Sequence, residues 1–169
     1  MKAILKNGTA IELRAITPDD AGRLTDSLAR LSDTSRRLRF FSARRSLSKD
    51  EVTWLTNVDH HDREAIVAVH EDEIIGVVRY DRLLDRHDAA EIAIVVADDW
   101  QRLGVATELI DRLIAHASLH GVTNFVADTL YDNRAVRSML ASIGTTIARE
   151  TWIDGAVQIE MQLEAPEPP

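Results

Sequence analysis

The sequence predicts a mixed α/β domain: one sheet with helices on both faces. Three observations predict it. Periodic segments follow in the order strand, two helices, three strands, helix, strand, helix, two strands. That order is not a regular alternation, which argues against a doubly wound dinucleotide fold. The stretch from Glu91 to Thr107 reads as an apolar strand, a short polar turn, and then Gln101-x-x-Gly104-x-Ala106 opening a helix.

Taken in order, Ile11 to Ile16 alternates apolar and polar residues, a half-buried strand. A helix follows, with Thr17 as N-cap, Pro18 at its first position and Asp19 and Asp20 in its first turn. Its apolar positions Ala21, Leu24, Leu28 and Leu31 keep helical spacing. A second helical region covers the Arg-rich segment Ser35 to Arg45 and Ser48 to Asn57, with Ser48-x-x-Glu51 as a capping box. Ala65 to Val69 and Ile74 to Tyr80, joined by His70-Glu71-Asp72-Glu73, form a β-hairpin. Ala90 to Val96 is a strand and Val105 to His120 a helix, stopped by Gly121. Thr123 to Ala127 is a buried strand, and Asn133 to Ile143 a helix ending at Gly144. Thr145 to Ile153 and Ala156 to Leu163 alternate around Asp154-Gly155, a hairpin signal. Residues 1–163 make a single domain, and residues 164–169 a disordered tail.

Composition bounds the chemistry. The 169 residues suffice for one core. Their longest wholly apolar run, Ile92 to Ala97, is far too short to span a bilayer. The first residues lack the apolar core of a secretory signal, so a cytoplasmic address and no membrane partner are expected. The chain has no cysteine, which excludes disulfides, thiolate metal sites and covalent Cys catalysis. A net charge of −8 repels nucleic acid and suits a cationic partner such as an amine or a basic segment. Ser35 to Arg45 departs from that balance, with five arginines around Phe40 and Phe41. It reads as a helix with an apolar edge at Leu38 and Phe41 and a solvated basic face. His116 and His120 have the i,i+4 spacing that suits a metal, but no acidic or Cys partner accompanies them in sequence, so no metal is expected.

A strand that delivers a Gly-containing turn into a helix start is an anion site. Backbone N–H groups point outward there and the helix dipole adds partial positive charge. A pyrophosphate is expected at that turn, with Arg102 adding a charge, Thr107 a hydroxyl, and Ala106 leaving room for close approach.

With this loop, its strand and helix, and the following strand–helix unit with Asn133 at the helix start, the chain resembles the GNAT superfamily of N-acetyltransferases. The resemblance runs from Ile11 to Leu163. The run from Leu31 to Phe41, after Pro18-Asp19-Asp20, is similar to the acetyltransferase domain of bacterial Pat-type protein lysine acetyltransferases. The resemblance implies a GNAT-like, mostly antiparallel sheet of about seven strands, acetyl-CoA as cosubstrate, and transfer of acetyl to an amine, a protein lysine or a small cationic molecule. It places the pyrophosphate on Gln101, Arg102, Leu103, Gly104, Val105, Ala106 and Thr107. It pairs the pantetheine arm with the backbone of Val95 and Val96, and brings Asn133 to the cofactor. Two departures stand out. The tyrosine that many members use as general acid falls at Leu140, so another donor serves or the thiolate leaves unaided. A cyclic-nucleotide domain is not expected, because 169 residues leave no room for one.

Acyl transfer to an amine needs a base, because a primary amine of pKa ~10.4 is almost wholly ammonium at neutral pH. Glu91, at the start of the cofactor strand and on the same side as Ala93 and Val95, is the candidate. His60, His61 and His87 in nearby loops are rivals. The Val96 N–H is placed to polarise the thioester carbonyl. The alternative function is a catalytically silent acyl-CoA-binding regulatory module, which Leu140 keeps open. An amine acceptor and a monomer or homodimer are expected.

Overall fold

A computed structural model describes residues 1–40, 46–140, 145–153 and 155–163. The tail from 164, the Arg44 and Arg45 end of the basic segment, the helix stop at Gly144 and Asp154 of the last turn lie outside the described residues.

Strands β1 (Lys2–Ile4), β2 (Ala10–Ala15), β3 (Arg63–His70), β4 (Glu73–Arg82), β5 (Ala89–Val96), β6 (Asn124–Leu130), β7 (Thr145–Ile153) and β8 (Ala156–Leu163) form one sheet. Their order is β1-β2-β3-β4-β5-β6-β8-β7. Every pairing is antiparallel except β5 with β6. The strand beyond those read from sequence is β1, a three-residue edge segment too short to show a period.

Among the described residues five helices flank the sheet: α1 (Ala21–Ala29), α2 (Asp33–Phe40), α3 (Lys49–Thr56), α4 (Val105–Leu119) and α5 (Arg134–Leu140). The second helical region is therefore two helices, α2 and α3. Asp20 anchors the entry to α1: its buried carboxylate accepts both Arg14 guanidinium nitrogens at 2.7 Å and the Thr17 N–H at 2.9 Å. The Arg14 hydrogen bonds hold that carboxyl at about 2, against the cost of burial. Ser48 and Glu51 form the reciprocal cap of α3. In the β3–β4 hairpin Glu71 and Asp72 both take positive φ, the conformation of a two-residue hairpin turn.

Two cores lie on opposite faces. Leu109, Ile110 and Leu113 of α4 pack on Val78, Tyr80 and Phe125. Leu24 of α1 packs on Val67 and Ile74. Gly76 sets how close α4 comes: a β-carbon there would stand 3.0 Å from Leu109 Cδ1 and 3.1 Å from Val105 Cγ1. That approach brings the start of α4 down onto the end of β5, where the candidate site lies.

Candidate active site

Strands β5 and β6 pair only over Ala89 to Glu91 and then part. A cleft of about 710 Å³ occupies the gap, within the usual range for a small-molecule site. Beyond Glu91 one edge of β5 carries no ladder. Ala97 N–H still bonds to Ile75 on β4 at 2.9 Å, whereas the Val96 carbonyl accepts the Gln101 side-chain amide at 3.1 Å. Groups of one residue in a strand point the same way, so the Val96 N–H also faces the gap. Val95 lines the cleft as well. Pairing of β5 with β4 runs without a shift, so Glu91, Ala93 and Val95 share one face as alternation requires.

The loop after β5 is shaped by two left-handed residues, Arg102 at φ 63° and Gly104 at φ 101°. Gly104 tolerates that value without strain; a residue with a β-carbon does not. Gly104 is the N-cap of α4, whose first-turn N–H groups have no intrahelical acceptor. Gln101, Arg102, Gly104, Ala106 and Thr107 line the cleft. The Leu103 and Val105 side chains turn into the core, leaving only their backbone for a ligand. Asn133 caps α5, its Oδ1 accepting the Val136 N–H at 3.2 Å, and lines the same cleft. Leu140, also on the cleft wall, is 1% exposed. Ser138 of the same helix also lines it.

Glu91 opens onto the cleft. Packing around its carboxyl pushes it above its ordinary value; Asp128 and Asp81 add to that, while Arg39 and Arg79 oppose it. Asp81 is itself held by Arg79 at 2.9 Å and Arg63 at 3.0 Å. Among the described residues no histidine lines this cleft. His60 and His116 instead bracket the buried Glu64, at 3.0 and 3.2 Å. His116 therefore has the acidic partner that its sequence neighbourhood lacks. Burial nonetheless keeps its imidazole below the ordinary value, against the pull of Glu64. Among the described residues no group of three or more His, Asp or Glu is arranged to hold a metal ion.

The basic segment departs from its expected solvated face. Arg36 is 9% exposed and donates to the Ala29 carbonyl at 2.6 Å, pinning α2 to the end of α1. Arg37 is exposed and pairs with Asp132, and Arg39 turns into the cleft.

Two contributors gave no local sequence signal. Lys6 enters from the β1–β2 turn: its N–H donates to the Leu103 carbonyl at 3.1 Å and its side chain lines the cleft beside Gly104. Asp98 accepts the Ser32 N–H and hydroxyl at 3.0 and 2.7 Å and the Ser35 hydroxyl at 2.8 Å. Burial works against it, but these hydrogen bonds hold the Asp98 carboxyl below its usual range. Gln101 donates to Ser35 at 3.2 Å, so the loop and the start of α2 form one network.

Residues 29–144 match the family model described as Acetyltransferase (GNAT) family. The chain belongs to the GNAT acetyltransferase family. Acetyltransferase Pat of Mycolicibacterium smegmatis is 31% identical over 163 residues, which are 94% of this chain and 47% of that protein. The chain thus spans about half the length of that relative. An acetyltransferase of Pseudomonas aeruginosa is 29% identical over 144 residues, 83% of this chain and 77% of its own. The crystal structure of the GNAT domain of S. lividans PAT superposes with a TM-score of 0.89 at 34% identity, covering 96% of each chain. Glu91, the 101–107 loop and Asn133 fall inside the span that matches the GNAT family; Lys6 falls outside it. No helix among the described residues is long and apolar enough to cross a membrane.

Proposed function

We propose that this GNAT acetyltransferase moves the acetyl group of acetyl-CoA to an amine by direct attack in a ternary complex. Its acceptor is a protein lysine or a small cationic amine, and it works in the cytoplasm as a monomer or homodimer. The observation that carries this reading is Glu91: a carboxylate with a raised pKa, opening onto the cleft where β5 leaves β6.

The donor side and the base of the cleft have chemical tasks. The open N–H groups at the start of α4 receive the pyrophosphate, with Arg102 and Lys6 supplying positive charge. Gln101 acts by position: its amide is taken by Val96 and Ser35, which fixes the loop. The Val96 N–H receives the charge that develops on the thioester oxygen. The Asn133 side chain closes the cofactor side. Glu91 removes a proton from the incoming ammonium so that the free amine attacks. Opposite Leu140 the thiolate departs without a phenol donor; its thiol pKa of roughly 8.5 makes it a tolerable leaving group, and Ser138 is the hydroxyl on that helix.

The relatives with curated names are acetyltransferases, and no observation favours a binding-only module. The test is acetyl-CoA turnover followed by thiol release, against amines and lysine peptides. Thiol release that requires both acetyl-CoA and an amine supports the reading. Tight acetyl-CoA binding with no release across the panel removes it.

A further inference from the structure

Arg39 is a cation in this cleft to which acetyl transfer gives no task. It lines the cavity, half-buried, one helical turn beyond Ser35 on α2. Its position follows from how α2 lies along β5. The start of α2 is tied to Asp98 just past the end of β5, and its last turn brings Arg39 to the wall of the cleft that Glu91, at the start of that strand, also lines. Arg39 and Glu91 therefore line one cleft, with Arg39 a helical turn past the Ser35 contact to Gln101.

The other arginines around it are matched. Arg79 and Arg63 hold Asp81, Arg37 holds Asp132, and Arg36 holds the Ala29 carbonyl. Arg39 has neither an ion pair nor a hydrogen bond among the described residues; its guanidinium carbon lies 4.9 Å from the ring centre of its neighbour Phe40. Burial brings its guanidinium down to about 10, Arg79 adds to that, and Glu91 and Asp81 act the other way from a distance. A desolvated cation without a counter-ion is costly, and a guanidinium offers a planar fork of donors that fits a carboxylate. Asp81 is already occupied, and Glu91 is needed for the proton. The matching anion therefore comes with the substrate.

We propose that Arg39 binds a carboxylate of the acceptor, so that the preferred acceptor is an amine with a carboxylate close by. The ammonium lies against Glu91 and Asp128 while the carboxylate meets Arg39, which uses both signs of charge in the cleft. This inference rests on the N-acetyltransferase reading above. A free amino acid and a lysine beside an acidic residue in a peptide share this chemistry.

The experiment measures thiol release at saturating acetyl-CoA with matched acceptors: free amino acids, the same amino acids as carboxamides, and lysine peptides with a neighbouring glutamate or glutamine. For wild type, kcat/KM is expected to fall at least about tenfold when the carboxylate becomes an amide, mostly through KM, the loss that goes with one charge-assisted hydrogen bond. The series that shows the preference, amino acid or peptide, identifies the source. Arg39→Gln should erase the preference, Arg39→Lys should keep part of it, and acetyl-CoA affinity should be unchanged in both. Independently of any variant, the deaminated carboxylate of the best acceptor should inhibit wild type competitively against the amine. Equal use of carboxylates and amides by wild type overturns the proposal. So does an Arg39→Gln loss that is uniform across acceptors, since Arg39 would then act only by tuning Glu91. Thiol release with no amine at all overturns the acetyltransfer reading and this inference with it.

Discussion

Replacing Glu91 by Gln keeps the shape of the side chain and removes its ability to take a proton. At pH 7 an amine of pKa ~10.4 is free in only about one molecule in 2,500, so the variant depends on that fraction. Loss of a positioned base is expected to cut kcat by roughly 10²–10⁴ while acetyl-CoA still binds. The defect has a pH signature. The variant's rate should climb about tenfold per pH unit from 7 toward 9, following the free amine, whereas wild type has already levelled off. Wild-type activity needs ionised Glu91 and is lost as pH falls through its pKa. Packing, Asp128 and Asp81 raise that pKa, so the acid limb should lie above 4.5, the ordinary value. Asp128→Asn should move the limb down and Arg39→Gln should move it up, because the two neighbours act in opposite directions. The assay is initial-rate thiol release across pH with acetyl-CoA saturating. A constant ratio of wild type to variant between pH 7 and 9 refutes proton removal as the role of Glu91, and full activity of Glu91→Gln at neutral pH removes it as the base.

Acetyl-CoA should raise the melting temperature of wild type, and Gly104→Glu should abolish that shift by setting an anion and a strained β-carbon at the start of α4; equal shifts would take the loop out of the site. Asp20 falls from 3.8 unfolded to about 2 folded, which corresponds to about 2 kcal/mol of stability at neutral pH. Because the folded pKa is the lower one, that contribution is complete above the unfolded value and is lost as pH drops through the folded one. Denaturant melts should show Asp20→Asn less stable by about that amount at pH 7, with the gap closing toward pH 2. Arg36→Glu should lower the melting temperature and Arg37→Glu should barely change it, since one guanidinium is buried on Ala29 and the other is exposed.

Strands with one buried face announced themselves through a period of two, as in Ile11 to Ile16 and the last hairpin. The long helix α4 did so through Leu109, Leu113 and Ala117, with Gly121 at its end. The phosphate loop was legible because its chemistry is local: a strand, a turn that needs Gly104, and a helix start follow one another in the chain. Lys6 was not legible, because only the fold brings a turn from the far N-terminus against Leu103. The partnership of Glu64 with His116 was hidden for the same reason: strand register and helix packing create it, not spacing.

The basic segment shows why a charge run cannot be assigned from its composition. Arg36, Arg37 and Arg39 look alike in sequence, yet one is buried under α1, one pairs on the surface and one enters the cleft. What separates them is the orientation of α2, and that orientation is set by an acid far along the chain. Asp98 takes the hydrogen bonds of Ser32 and Ser35 and fixes the start of the helix beside the Gln101 loop. A turn later, the same helix places Arg39 on the wall of the cleft that Glu91 lines. The loop proposed to hold the donor therefore touches the start of α2, and the arginine proposed to read the acceptor sits at its other end. A disturbance at Asp98 should reach both substrates, whereas one at Arg39 should reach only the acceptor.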